Sequence, residues 1–399
     1  MTTWLHGAPD TIALQFDGAQ RSYAELDTAV STTSFENSEA VGFPRSDRPA
    51  ELLTTVLAAF ARGLPVLVGG SQADADELAP DAQAIGAGLL VRTSGSSGPA
   101  RTIARTTESW LASAAPLADL MGLKPGQRVA ITGPLTVSMH LYAALHALWA
   151  GATVTDELRG ADVAHVTPTT LHRLLSGDEV PERVVVAGAL LDPQLAARAA
   201  ARGIHVLEYY GAAELSFVAY GRGTGELFPF PGVEIELRES AAAVDDAFEL
   251  WARSPYLALG SFGAPGALRT APDGFATVGD LAVPTDSGFR VLGRGDAAIT
   301  TGGVTVLAEA LELTLESLPG VRSAGVFGEQ HTLLGERIVA VVELDGGASI
   351  DAVTSAARLA LDPSELPRRW VAAEALPRTS GGKIARWHLR KLHEERDDR

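Results

Sequence analysis

The sequence has no cysteine among its 399 residues. Disulfides, thiolate nucleophiles and zinc–thiolate sites are therefore excluded. Lysine is nearly absent too: Lys124, Lys383 and Lys391 are the whole set, and arginine supplies the other basic residues. A lysine retained in such a background raises the question of its use. Positive charge is scarce overall, with 32 Lys+Arg against 49 Asp+Glu and a net charge of −17. Such a surface repels phosphate backbones and anionic bilayers, which argues against general nucleic-acid binding and electrostatic membrane docking. No apolar run reaches the roughly 20 residues of a membrane-spanning helix. Residues 1–10 lack the basic and then apolar segments of a secretory leader. The expectation is a cytoplasmic protein, monomeric or homodimeric, of about two or three domains.

Strand-length apolar segments alternate with Ala/Leu-rich segments of helical length. Ile12–Phe16 reads as a strand. Residues 23–30 read as a helix, with Ser22 as N-cap and Glu25 three residues on. Residues 52–62 are helical by period, and 64–68 follow as a buried strand. Further strands are expected at Arg128–Ile131, 164–167, 184–187 and 205–209, with helices at 141–150, 169–175 and Pro193–Ala201 between them. This alternation implies an α/β fold with largely parallel sheets. From about 233 to 291 short β runs broken by Gly, Pro and Asp predict an antiparallel meander. A smaller α/β segment follows Arg294.

Four stretches carry chemistry. In Val91-Arg92-Thr93-Ser94-Gly95-Ser96-Ser97-Gly98-Pro99-Ala100-Arg101, hydroxyls and glycines alternate after an apolar strand. Backbone N–H groups and hydroxyl oxygens there can converge on an anion. The spacing is not that of a P-loop, and a flexible Ser/Gly turn is the plain alternative. Glu208-Tyr209-Tyr210-Gly211-Ala212-Ala213-Glu214 follows another strand, at the end where α/β sheets place ligands. Glu214 could hold a divalent cation and Tyr210 could stack on a base; a solvated Glu beside a packing Tyr is the bland reading. Thr277-Val278-Gly279-Asp280 and Gly293-Arg294-Gly295-Asp296 place an Asp at the end of a β run and an Arg fourteen residues later. That pair could reach a ribose and a phosphate, or form two ordinary polar turns. Last, Leu376 to Arg386 sets Lys383 after Gly381-Gly382, on a loop able to carry an ammonium to a reacting phosphate or to sit in solvent.

In this order and spacing the motifs resemble the adenylate-forming (acyl-activating, AMP-binding) superfamily, in particular a compact acyl-CoA synthetase, over nearly the whole chain. The opening segments Ala8–Leu14 and Ser22–Leu26, and Pro134–His140, match in position as well. The resemblance implies an α/β fold: a large N-terminal domain of parallel α/β subdomains plus the β meander, residues 1–295, and a small mobile α+β C-terminal domain, 296–399, carrying the lysine loop. It implies ATP, magnesium and coenzyme A as cofactors. A carboxylate would attack the α-phosphate of ATP to give an acyl-adenylate, and a thiol would then displace AMP. By the same resemblance Thr93, Ser94, Gly95, Ser96, Ser97 and Gly98 would cradle phosphates, with Tyr210 and Gly211 against the adenine. Asp280 and Arg294 would hold the ribose, Glu214 would bind magnesium, and Arg101 and Lys383 would act on the reacting anions. His140, Gly188, Ala189, Tyr209 and Leu215 would line the acyl pocket. Asp296 would be the hinge, and Gly302-Gly303 would line the coenzyme A tunnel.

Some positions depart from the family pattern. Arg101 stands where lysine is usual, Ala100 replaces a proline, Ala213 a threonine and Ala297 an aspartate. The phosphate loop begins at residue 93, so the first subdomain is shortened. Two other readings therefore stay open beside the acyl-CoA ligase: an acyl-AMP ligase that loads a carrier protein, and a degenerate, non-catalytic binder of nucleotide or acyl ligand.

Overall fold

The computed structural model describes residues 4–35, 40–93, 101–240, 246–263, 267–301, 304–379 and 382–397, with Asp296 and 394–397 described by backbone alone. The described chain forms two compact units. The first takes the described residues up to 93, then those of 101–234 and 253–268; the second takes 235–252 and 269 onward. The sequence-based division at 295/296 thus falls inside the second unit, where the meander is grouped with the C-terminal segment.

The first unit is built on a nine-stranded sheet. Its middle is parallel: His205–Ala212, Arg183–Val186, Val163–Val166, Arg128–Ile131, Thr153–Thr155 and Ile12–Phe16 run side by side. Both margins are antiparallel, through Ser216–Gly221 and Phe228–Pro229 at one end and Ala19–Ser22 at the other. The parallel strands are apolar runs because helices cover them. Val184, Val186, Ala164 and Val166 pack under Leu171, Leu195 and Ala199 of the helices Pro168–Leu174 and Pro193–Ala201. The helix Tyr23–Thr32 starts with the expected capping box of Ser22 and Glu25. A second, four-stranded sheet joins Val66–Val68, Leu89–Thr93, Arg101–Arg105 and Gly260–Gly263.

Acid should loosen this unit. His140, His146 and His165 are all buried, at 4%, 0% and 1% exposure. Burial pushes the first two down to about 4 and His165, with His146 and His140 as added repulsion, to about 3. The unfolded chain takes up protons below about pH 6.5 that the folded chain refuses. Stability is therefore complete above that value and lost as pH falls toward 4. Glu208, raised to about 7 by burial, works in the opposite sense, but one carboxyl does not offset three imidazoles. Thermal melting followed from pH 7 to pH 4 should show the transition of this unit moving to lower temperature; a transition that does not move would contradict it.

In the second unit, the meander strands Phe248–Arg253, Ala276–Thr277, Asp280–Pro284 and Phe289–Arg294 pair antiparallel. The C-terminal part is a sheet around the long hairpin Val321–His331 and Gly335–Leu344. Arg369–Ala373 is parallel to its second strand. The helices Ala308–Glu316 and Ile350–Ala360 contribute Leu311, Leu315, Val353 and Ala357 to a core with Val326, Ile338 and Val342.

Candidate active site

The strands Leu89–Thr93 and Arg101–Arg105 form an antiparallel hairpin whose closing pair is Thr93 and Arg101. Thr93 Oγ1 donates to the Arg101 carbonyl at 3.3 Å. The Ser/Gly loop is therefore the connection of this hairpin. Ser94, Gly95, Ser96, Ser97 and Gly98 lie outside the described residues. Arg101 is buried, and its guanidinium lies 3.8 Å from the equally buried carboxylate of Glu214. One terminal nitrogen of Arg101 is enclosed without a hydrogen-bond partner among the described residues.

The Tyr-Gly-Ala-Ala-Glu stretch differs from its expected place on a loop. The strand His205–Ala212 continues through Tyr210 and Gly211, and Ser216–Gly221 turns back along it. The register slips between Tyr210 and Gly211, and Ser216 takes a positive φ of 60°. A Cβ at Gly211 would stand 2.0 Å from the Ser216 carbonyl oxygen. Glycine there serves backbone packing, and Glu214 is held in the turn between the strands. Tyr209 is desolvated, which raises its phenol, and its ring lies 4.6 Å from that of Phe217. Leu215 is buried. Gly188 has φ 94°, while Ala189 is exposed on the loop after Arg183–Val186. His140, on the helix Ser138–Trp149, packs against Gly133, where an added Cβ would meet its Nε2 at 2.2 Å. Its depressed pKa leaves it neutral at pH 7, able to hydrogen-bond but not to pair a second carboxylate by charge.

Sequence reasoning missed Arg105. It lies in the same hairpin strand, 1% exposed, and donates to the Ala213 carbonyl at 2.6 Å. It also reaches the Tyr256 carbonyl and Ser109 Oγ at 3.4 Å, with its guanidinium 5.1 Å from the Trp110 ring centre. Burial lowers its pKa to about 10, against the pull of Glu214, so it stays charged. It fastens the segment that carries Glu214. The only sequence signal was an arginine inside an otherwise buried strand.

In the second unit Asp280 opens a strand instead of ending one, and pairs across it with Arg294, the last residue of Phe289–Arg294. The guanidinium Nε stands 3.5 Å from Oδ1 of Asp280, which is 8% exposed. The Gly279 carbonyl accepts from the Gly295 N–H at 2.9 Å. These two turns are thus joined as one edge. The lysine loop is closed by backbone bonds. Thr379 N–H donates to the Lys383 carbonyl at 2.7 Å, Ala385 N–H to Pro377 at 2.8 Å, and the Arg378 guanidinium to the Gly382 carbonyl at 3.0 Å. Lys383 is exposed as a residue, yet its ammonium is crowded enough to be partly desolvated. That crowding, with Arg294 and Arg386, lowers its pKa, and Asp280 and Glu309 pull it up. Asp296 sits in a short 3-10 turn after Arg294, its side chain outside the description, and Gly302-Gly303 lie outside the described residues.

The AMP-binding enzyme C-terminal domain family matches residues 310–383. A probable 2-succinylbenzoate–CoA ligase of Mycobacterium tuberculosis is 31% identical over 328 residues, 75% of this chain and 82% of that protein. An uncharacterised acyl-CoA ligase of Bacillus subtilis is 28% identical, over 76% of this chain and 68% of its own length. Among solved structures, ATP-bound MatB from Rhodopseudomonas palustris superposes with a TM-score of 0.80 at 21% identity, covering 98% of this chain and 99% of that one. The fold is that of the adenylate-forming enzymes. The chain belongs to the acyl-CoA ligases of that superfamily. Among the described residues no helix is long and apolar enough to cross a membrane.

Proposed function

We propose that the protein activates a carboxylic acid as its acyl-adenylate and transfers the acyl group to the thiol of coenzyme A. The observation that carries the reading is the Asp280–Arg294 pair with the Lys383 loop beside it. In the first step a carboxylate oxygen bonds to the α-phosphorus of ATP, and the bond to the bridging oxygen breaks. Pyrophosphate leaves with the electron pair. In the second step the thiol sulfur bonds to the acyl carbon, AMP departs, and the thiol proton passes to solvent.

Each residue set has a task in that sequence. Asp280 accepts the ribose hydroxyls, and Arg294 offers donors to the sugar or a phosphate. Tyr210 and Gly211 flank the adenine. Thr93, with the hydroxyls and N–H groups of the loop after it, receives the β- and γ-phosphates, and Arg101 adds fixed positive charge there. Lys383 brings its ammonium to the attacking carboxylate and the α-phosphate, where two anions would otherwise repel. His140, Gly188, Ala189, Tyr209 and Leu215 form the acyl wall. Gly302-Gly303 line the thiol's approach. Asp296 is the hinge about which the C-terminal segment turns between steps, which makes 296–399 the moving part.

Magnesium fits this donor set through Glu214. The ion typically takes one or two protein carboxylates and completes its shell with phosphate oxygens and water, and Glu214 is one buried carboxylate facing the cation of Arg101. When bound, magnesium supplies neutralising charge to the phosphates.

Two experiments bear on the reading. Products from ATP, magnesium and a panel of aryl, fatty and dicarboxylic acids should be identified by mass spectrometry with and without coenzyme A. Acyl-CoA with AMP is expected. Acyl-adenylate that never reaches coenzyme A would move the second step to another thiol. Replacing Asp280 by Ala should weaken ATP binding about tenfold or more, the worth of a charge-assisted hydrogen bond. Calorimetric titration measures this, and an unchanged affinity would remove Asp280 from the ribose.

A further inference from the structure

The strand Ala276–Thr277 ends at a fully buried hydroxyl, shortly before Asp280. Thr277 Oγ1 donates to Oε1 of Glu249 at 3.0 Å and accepts from the Gly279 N–H, also at 3.0 Å. Gly279 has φ 83°, and its carbonyl takes the Gly295 N–H at 2.9 Å. The residue before Asp280 is thus gripped on both sides. Thr277 holds its N–H, and the residue after Arg294 holds its carbonyl.

Glu249 belongs to a different strand, Phe248–Arg253, and is buried there. Both Ala276–Thr277 and Asp280–Pro284 pair with that strand, Ala276 opposite Ala252 and Leu281 opposite Glu249. The register slips between these two pairings, so the chain from Thr277 to Asp280 bulges out of the ladder. Arg269, opposite Thr277 on the next strand, forms an ion pair with Glu249 and lies 5.6 Å from the Trp251 ring centre. A carboxylate only accepts hydrogen bonds. The Thr277 hydroxyl hydrogen is therefore committed to Glu249, which leaves the oxygen's lone pairs for the Gly279 N–H.

We infer that Glu249 is a positioning residue for the ribose contact: acting through the Thr277 hydroxyl, it fixes the bulge from which Asp280 presents its carboxylate. The inference rests on Asp280 being the ribose residue. Glu249 itself touches no nucleotide. A bulge re-aims the side chain that follows it, and a glycine at positive φ holds its turn only as firmly as its hydrogen bonds do. Once the Gly279 N–H is released, Asp280 can turn relative to Arg294. Hydrogen bonds weaken steeply with angle, so a carboxylate that must meet two hydroxyls at once loses most from such a turn.

The test compares binding of ATP, 2′-deoxy-ATP and 3′-deoxy-ATP to the full-length protein by calorimetric titration. Wild type should favour ATP over each deoxy analogue by about tenfold, the worth of a hydrogen bond to a charged group. Thr277→Val, of the same shape without the hydroxyl, should narrow that preference to about threefold or less, and Thr277→Ser should restore it. Glu249→Leu should narrow it as Thr277→Val does, because the hydroxyl loses its acceptor. Glu249→Gln, whose amide oxygen can still accept, should keep most of it. The two substitutions together should narrow it no further than either alone, since they break one chain of contacts. A preference ratio is blind to partial unfolding, so loss of stability by itself does not move it. A wild-type ratio in Thr277→Val or in Glu249→Leu overturns the inference alone. Wild-type protein that binds all three nucleotides equally overturns the reading of Asp280, and the inference with it.

Discussion

Lys383→Ala is expected to lower adenylate formation by about 10²–10³, the usual cost of removing one group that stabilises charge developing in a transition state. Binding of ATP should be largely retained, because ribose recognition is assigned to Asp280 and Arg294. The distinction matters. A fall in rate with unchanged affinity shows an ammonium used in the transition state, and a fall in affinity alone shows a ground-state contact. The loop is built so that its backbone survives the substitution. The Thr379–Lys383 and Pro377–Ala385 backbone bonds do not involve the lysine side chain, and Arg386 remains clamped by Glu309 and Glu312. Exchange of labelled pyrophosphate into ATP, beside nucleotide titration, separates the two cases. Adenylation at the wild-type rate would take Lys383 out of the chemistry.

The second large effect is expected at Gly211. An alanine methyl there would sit 2.0 Å from the Ser216 carbonyl oxygen and 3.0 Å from its carbon. Both are backbone atoms of the facing strand, so no side chain can swing aside. The hairpin must open or shift its register at the bulge, and Arg105's hold on the Ala213 carbonyl goes with it. A cost on the order of 3 kcal/mol is expected, the upper part of the range for overpacking. Glu214 and Tyr210 would be displaced together. Chemical denaturation should show the loss of stability, and AMP formation should fall further than that loss explains. A Gly211→Ala protein of wild-type stability would mean that the bulge has room not seen in the structure.

What the sequence made legible was local. The capping box of Ser22 and Glu25 is visible because its hydrogen bonds span three residues. Arg128–Ile131 and Pro193–Ala201 are bounded by turn and cap residues beside them, and both fall at the expected limits. The spacing from Asp280 to Arg294 was also readable, but as two turns; that they are the first and last residues of paired strands depends on register across the hairpin. The extension of His205–Ala212 through Gly211 depends likewise on Ser216–Gly221, a partner no propensity at 210 or 211 announces. Arg105 and Glu249 were invisible for a different reason. Each is an ordinary residue type whose use is set by what lies across from it, the Ala213 carbonyl in one case and Thr277 with Arg269 in the other.

The central claim is that the acid is activated by direct bonding of its carboxylate to the α-phosphorus. The measurement that tests it most directly uses the acid found in the product panel, labelled with heavy oxygen in its carboxylate, with ATP, magnesium and coenzyme A. The account predicts that AMP emerges carrying one labelled oxygen from the acid and that no label enters pyrophosphate. Label in inorganic phosphate with release of ADP, or unlabelled AMP beside thioester, would contradict it.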